Sequence, residues 1–334
     1  MKFLTISTFL SASALALIAP GTAQAQESCD LTISNMNWAS AEVLASIDKI
    51  ILQEGFDCQA RLVPGDTMPT FASMSEKGQP DIAPEFWASQ FRDQLDQAVE
   101  EGRIVVGIKS LSDGGEEGWW IPQYFADEHP EIESVADALA HPELFPSSED
   151  PSKGAVYGCP SGWACQITTA QLYKAYDADD KGFVLVDPGS AAGLDGSITK
   201  AYENKQPWLG YYWSPTAILG KYPMKKLAIN GEFDQETWDT CNSVVDCPDP
   251  KVMPWPASPV YTIMTPELAD APQGVQDYLD TRAWGNDQVN ELLAWKDDNQ
   301  ATGEDTAYYF LENYPDVWGE WVSDDVAEKI KGAL

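Results

Sequence analysis

The chain has 334 residues, 20 of them basic against 53 acidic, for a formal charge of -33. A surface this acidic repels nucleic acid and anionic membranes and excludes both as partners. Beyond residue 25 no apolar run approaches the roughly 20 residues of a membrane span, and the remaining length exceeds one ordinary core, so two lobes are expected.

Residues 1–25 read as an export signal, with Lys2 as the charged start, Phe3 to Ile18 as the apolar stretch and Ala23-Gln24-Ala25 as the cleavage site. The mature chain then begins near Gln26 in the periplasm, and no cysteine follows the cut to carry a lipid. In an oxidising compartment six cysteines form disulfides rather than thiolate metal sites, and neighbouring pairs are Cys29 with Cys58, Cys159 with Cys165, and Cys241 with Cys247. The last two close short loops, so they fix loop shape more than they stabilise the chain. No metal and no cofactor is expected.

Leu31 to Met36 alternates as a strand, and Ser40 then caps a helix carrying Val43, Leu44, Ile47, Ile50 and Ile51, stopped by Gly55. A strand over Cys58 to Val63, a helix over 68–76 and a short strand over 81–85 follow. Strands alternating with helices predict an α/β fold with a parallel sheet, whose ligand sites lie beyond the carboxyl ends of the strands. The acidic glycine run DGGEEG, 113–118, is the candidate hinge. Further on the pattern predicts helices near 122–127 and 134–140, a strand at 155, a helix over 166–176, a strand over 183–187 and a helix over 191–204. An apolar strand over 208–212, a strand over 260–264 and terminal helices complete the chain. The acidic turn 177–182 has Lys181 and Pro188 where a calcium loop needs ligands, so it reads as solvated surface.

Tryptophans recur at the predicted strand ends: Trp38 after the first strand, Trp87 after 81–85, Trp163 after the strand at 155, and Trp213 after 208–212, with Trp119 at the hinge. These positions predict rings in exposed loops facing a cleft. Indole faces attract a cation whose charge is spread over methyl groups, at about 0.5 to 2 kcal/mol per contact. Burying three methyl groups adds roughly 0.8 kcal/mol each, which together approaches the approximately 8 kcal/mol of micromolar binding. The Cys159–Cys165 loop would hold Trp163 as one wall, while the backbone N–H groups of Ala164 and Cys165 at a helix start would meet a negative ligand atom.

The segments CPSGWAC (159–165), EFW (85–87) and YYWSP (211–215) together resemble the motifs of periplasmic glycine betaine/proline betaine binding proteins of ABC importers. The resemblance implies a two-lobed type II periplasmic binding protein with parallel-rich mixed sheets and two crossovers, near Gly114 and Tyr261. Lobe I would comprise 26–114 and 262–334, and lobe II 115–261. It implies Trp87, Trp163 and Trp213 as cage walls, Ala164 and Cys165 as anion-side donors, a monomer, and an inner-membrane permease as partner. MNW (36–38) and Trp119 are similar to the choline-binding branch, but Ala39 and Ser40 stand where that branch has an acid for the choline hydroxyl. Glu116 and Glu117 would oppose a ligand carboxylate if they faced the pocket, and no basic residue stands beside these motifs. These features are similar to trimethylamine N-oxide binding proteins of marine bacteria. Trimethylamine N-oxide is therefore the expected ligand, ahead of glycine betaine.

An enzyme is disfavoured. Only His129 and His141 exist, and no GxSxG, HExxH or phosphate-cradling glycine loop is present, although paired carboxylates for glycoside hydrolysis are available among 53 acids. A sugar receptor would use tryptophan platforms too, but the neighbours Phe86, Tyr211 and Tyr212 offer few amides for hydroxyl groups.

Overall fold

A computed structural model describes Met1 and residues 29–334; the expected export signal after Met1 lies outside the described residues. Strand β1 (Asp30–Met36) runs parallel to both β2 (Gln59–Gly65) and β3 (Ile82–Trp87). All six residues of β3 are buried, as in a central strand covered on both faces, and Glu85 is its one ionisable side chain. Helices α1 (Ala39–Ile50) and α2 (Thr67–Lys77) connect these strands, and α3 (Arg92–Glu100) follows β3. Ser40 is expected to cap α1. Instead Trp38 holds the cap position, and Ser40 lies in the first turn with its hydroxyl donating to Glu85.

At the candidate hinge, 113–118, the chain passes from one sheet to the other without forming a loop. This segment lies inside β4 (Val105–Pro122), an 18-residue strand shared by two sheets. A register shift between Leu111 and Gly115, with Gly114 at φ +75°, bends the strand there. The backbone keeps ladder partners on either side of the bend, which is why no loop forms. The second sheet contains β5 (Gly154–Tyr157), β6 (Phe183–Val186), β7 (Gly210–Ser214) and β8 (Met224–Lys226). From Glu116 onward β4 pairs antiparallel with β7, which continues parallel to β5 and β6. Helices α4 (Gln123–Glu128), α5 (Val135–Ala138), α6 (Cys165–Ala175), α7 (Ala191–Asn204), α8 (Ala217–Lys221) and α9 (Gln235–Thr237) surround it. The chain returns through β9 (Ser258–Met264), which lies antiparallel between β3 and β4 and meets Gly115 at Ser258.

The strand order is therefore β2-β1-β3-β9-β4-β7-β5-β6, with β8 also on β4. Each parallel half is a set of strand–helix crossovers, and the antiparallel pairs are those made by β4 and β9. This is a mixed, two-lobed type II binding-protein fold. Helices α10 (Gln273–Thr281), α11 (Asn286–Asp298), α12 (Gly303–Asn313), α13 (Pro315–Trp318) and α14 (Asp324–Ala333) follow, with α12 packed on α1 and α11 reaching α8. The disulfides are Cys29–Cys58, joining the starts of β1 and β2, Cys159–Cys165 between β5 and α6, and Cys241–Cys247. Among the described residues no helix is long and apolar enough to cross a membrane.

Candidate functional site

The carboxyl ends of β1, β3, β5 and β7 converge where the lobes meet, the place an α/β sheet leaves for ligands. Trp38, Trp87, Trp163 and Trp213 line one cavity there, of about 30 Å3, together with Thr67, Gln90, Glu117, Ala164, Cys165 and Tyr211. Trp163 stands edge-on to Trp38 at 5.2 Å and 72° and to Trp213 at 5.0 Å and 82°, so three indoles form the corners of a box. Trp87 comes from β3, and its ring lies so close to Gly115 that a Cβ at that position would collide with it. A glycine at the bend of β4 is therefore required by the fourth wall.

The rings are not the exposed loop residues that their spacing suggests. None of the four is more than 8 % exposed, and Trp87 and Trp213 belong to the ends of strands. Contacts between the lobes explain the burial. The Trp163 indole N–H donates to Asn37, the Met68 N–H donates to the carbonyl of Gly162 at 3.1 Å, and the Trp238 indole donates to the carbonyl of Ser89 at 2.7 Å.

Trp119 requires a correction, because it does not line this cavity. It is fully buried in β4 opposite Tyr211, two residues beyond Glu117. Since β4 runs antiparallel to β7, each step past Glu117 leads away from the carboxyl edge of β7 and into the second lobe. Glu117 takes the place at the cavity instead.

Two carboxylates govern the electrostatics. Glu117 accepts from Gln90 at 2.9 Å, from the Tyr211 hydroxyl at 2.8 Å and from the Ser258 hydroxyl at 2.7 Å, gathering donors from both sheets. Burial pushes its carboxyl above the usual range, while the hydrogen bonds from Ser258, Tyr211, Gln90 and Ser89 act the other way. Glu85 is fully buried behind the rings. Its Oε1 accepts from the indole N–H of Trp38 at 2.7 Å, the hydroxyl of Ser40 at 2.9 Å and the indole N–H of Trp87 at 3.0 Å. Burial raises this carboxyl too, against the pull of those three donors and the charge of Arg282. None of the lining residues is basic.

Ala164 and Cys165 line the cavity at the start of α6, where backbone N–H groups have no intrahelical acceptor. No three His, Cys, Asp or Glu side chains converge on a possible metal position among the described residues. The four tryptophans singled out by their places at strand ends do line one cavity. Gln90 and Thr67 carry no such signal, and Glu85 had only a weak one, its position two residues before Trp87 on the same face of a strand.

Indole faces around a dry cavity attract cations whose charge is spread over methyl groups. A curated relative, the glycine betaine/carnitine transport binding protein of Listeria monocytogenes, is 23% identical over 177 residues, covering 53% of this chain and 51% of the relative. The chain thus spans about half the length of the curated relative it matches. Among solved structures, the glycine betaine/L-proline-binding protein from Borrelia burgdorferi has a TM-score of 0.71 at 16% identity, covering 90% of this chain and 99% of that one. A lactococcal protein in its closed form with glycine betaine has 0.67 at 16%, covering 88% and 100%. A choline binding protein in complex with choline has 0.71 at 15%, covering 91% and 97%. These likenesses carry the fold, and the proteins concerned serve transport, not catalysis. The profile of the substrate binding domain of the ABC-type glycine betaine transport system matches residues 30–313, and the chain belongs to that family.

Proposed function

We propose that this protein is the periplasmic receptor of an ABC importer for trimethylated amines, with trimethylamine N-oxide as its ligand, and that it delivers this cargo to an inner-membrane permease. In this reading the lobes are 26–114 with 262–334, and 115–261, and the ligand is held between them by Trp38, Trp87, Trp163 and Trp213. The observation that carries the reading is a cage of four indoles whose one carboxylate, Glu117, stands among the lining residues with no basic partner for a ligand anion.

Indoles suit the methylated nitrogen of every candidate, so the other end of the ligand decides. A betaine carboxylate would lie against Glu117 without a cation to offset it. The single oxygen of an N-oxide needs only donors, and the N–H groups of Ala164 and Cys165 at the start of α6 can supply them. Size points the same way, because a cavity of about 30 Å3 is small and favours the smallest candidate. Choline is the second reading, because Glu117 could accept the hydroxyl for which no acid follows Trp38. Ligand contacts with both lobes would stabilise the closed form by their differential affinity for it.

Calorimetry with trimethylamine N-oxide, glycine betaine, proline betaine, choline and carnitine tests the assignment, with maltose as the sugar control. Trimethylamine N-oxide is expected to bind in the micromolar range and tightest of the set. Tighter binding of glycine betaine would overturn the ligand, and binding of maltose alone would overturn the function.

A further inference from the structure

Glu85 does not touch the cavity, yet it holds two of its four walls. The two indoles reach it from different elements, Trp38 from the β1–α1 junction and Trp87 from the end of β3, and both donate to the same oxygen. The 2.7 Å bond from Trp38 has the length of a charge-assisted hydrogen bond. By contrast, the N–H of Trp163 goes to the neutral amide of Asn37. We propose that Glu85 is a specificity-determining positioning residue: its carboxylate fixes Trp38 and Trp87 by their N–H groups and makes their ring faces more electron-rich, so that the cage favours a methylated cation over an uncharged body of the same shape.

The physical basis has two parts. An indole can rotate about two side-chain bonds, and a shared acceptor removes that freedom for both rings at once. An anion at the N–H edge also polarises the ring, adding negative potential to the face that attracts a cation, and the effect is large in a dry site. A carboxylate on the cavity lining, as Glu117 is, acts on any amine, including a hydrated ammonium that can hydrogen-bond to it, whereas Glu85 acts only through the rings. Behind the rings it is out of reach of the ligand, so only a cation that needs no hydrogen bonds benefits in full. The second carboxylate oxygen, Oε2, is buried with no hydrogen-bond partner, so besides the two indoles only the Ser40 hydroxyl donates to this group.

This inference rests on the cage reading above and is tested by the variant Glu85→Gln, which keeps the shape and removes the charge. Two probes of equal shape are titrated: trimethylamine N-oxide, and tert-butyl alcohol as its uncharged counterpart. The preference of the wild type for the N-oxide is expected to fall about tenfold in the variant, the order of one lost cation–π contribution. In protein labelled with nitrogen-15 in its indoles, the N–H resonances of Trp38 and Trp87 are expected to move while that of Trp163 stays. An unchanged preference, or equal weakening for both probes, would overturn the electrostatic role, and unmoved resonances of Trp38 and Trp87 would overturn the positioning role. If Glu85→Gln does not fold, Glu85→Asp, which keeps the charge but withdraws it from the rings, is read by the same two measurements with the same expectations. A wild type that binds no methylated amine would sink the cage reading instead, and the resonances would still decide the positioning.

Discussion

At the scale of the residue, each indole lining the cavity offers the aromatic face that attracts a cation most strongly. Trp213 closes one side of the box against Trp163, and its removal leaves an opening as well as a lost cation–π contact. Trp213→Ala should weaken binding of trimethylamine N-oxide at least tenfold by calorimetry, with secondary structure intact by circular dichroism. In the proposed complex Glu117 meets the other end of the ligand. Glu117→Gln keeps an acceptor for Tyr211 and Ser258 while removing the negative charge, so the ratio of affinities for trimethylamine N-oxide and glycine betaine should shift toward glycine betaine. A ratio unchanged within twofold would mean that Glu117 does not oppose the carboxylate.

At the scale of the element, a short loop closed by Cys159 and Cys165 delivers Trp163 to the start of α6. A ring of this size removes little entropy from the unfolded chain. Its effect should fall on the shape of the loop, which also brings Gly162, at φ +94°, against Asp66 of the facing lobe. The double variant Cys159→Ser with Cys165→Ser is therefore expected to lower ligand affinity by a larger factor than its modest fall in Tm would suggest; calorimetry alongside thermal unfolding checks this. The same scale explains what the glycine run at 113–118 does. Glycine weakens strands in general, but here the bend it permits keeps a single strand paired in two sheets, and Gly115 makes room for Trp87.

At the scale of the whole molecule, a second cleft of about 400 Å3 adjoins the cage behind Trp38 and Trp213, with Asp195 on one lobe and Lys296 and Asp297 on the other. Lys221 bridges the lobes to Asp297 at 2.9 Å, but both groups are about half exposed, so the pair is worth little. Asp195 is different: desolvation first, and then the nearby charge of Asp297, push its carboxyl up to about 6, although the Tyr212 hydroxyl donates to it. The native state thus holds this proton more tightly than the unfolded chain does. Stability from this group is complete below the ordinary value of 3.8 and is lost as pH rises to about 6. Asp195→Asn keeps the acceptor for Tyr212 and should flatten the pH dependence of Tm across that window. Curves that stay parallel would remove Asp195 from the linkage.

The sequence by itself determined the alternation of strands and helices, the three cysteine pairs and the four tryptophans at strand ends, because period, spacing and chain position carry those features locally. Helix α7 matches its expected bounds, and β1 and β9 lie within two residues of theirs. Only the tertiary structure decided which aromatic residues share a cavity. Trp119 and Glu117 are two positions apart on one strand, and nothing in their spacing says which of them reaches the edge; the antiparallel register of β4 on β7 does. Burial of Glu85 behind two indoles, and of Gln90 beside Glu117, likewise depends on elements far apart in the chain being brought to one place, which no local pattern encodes.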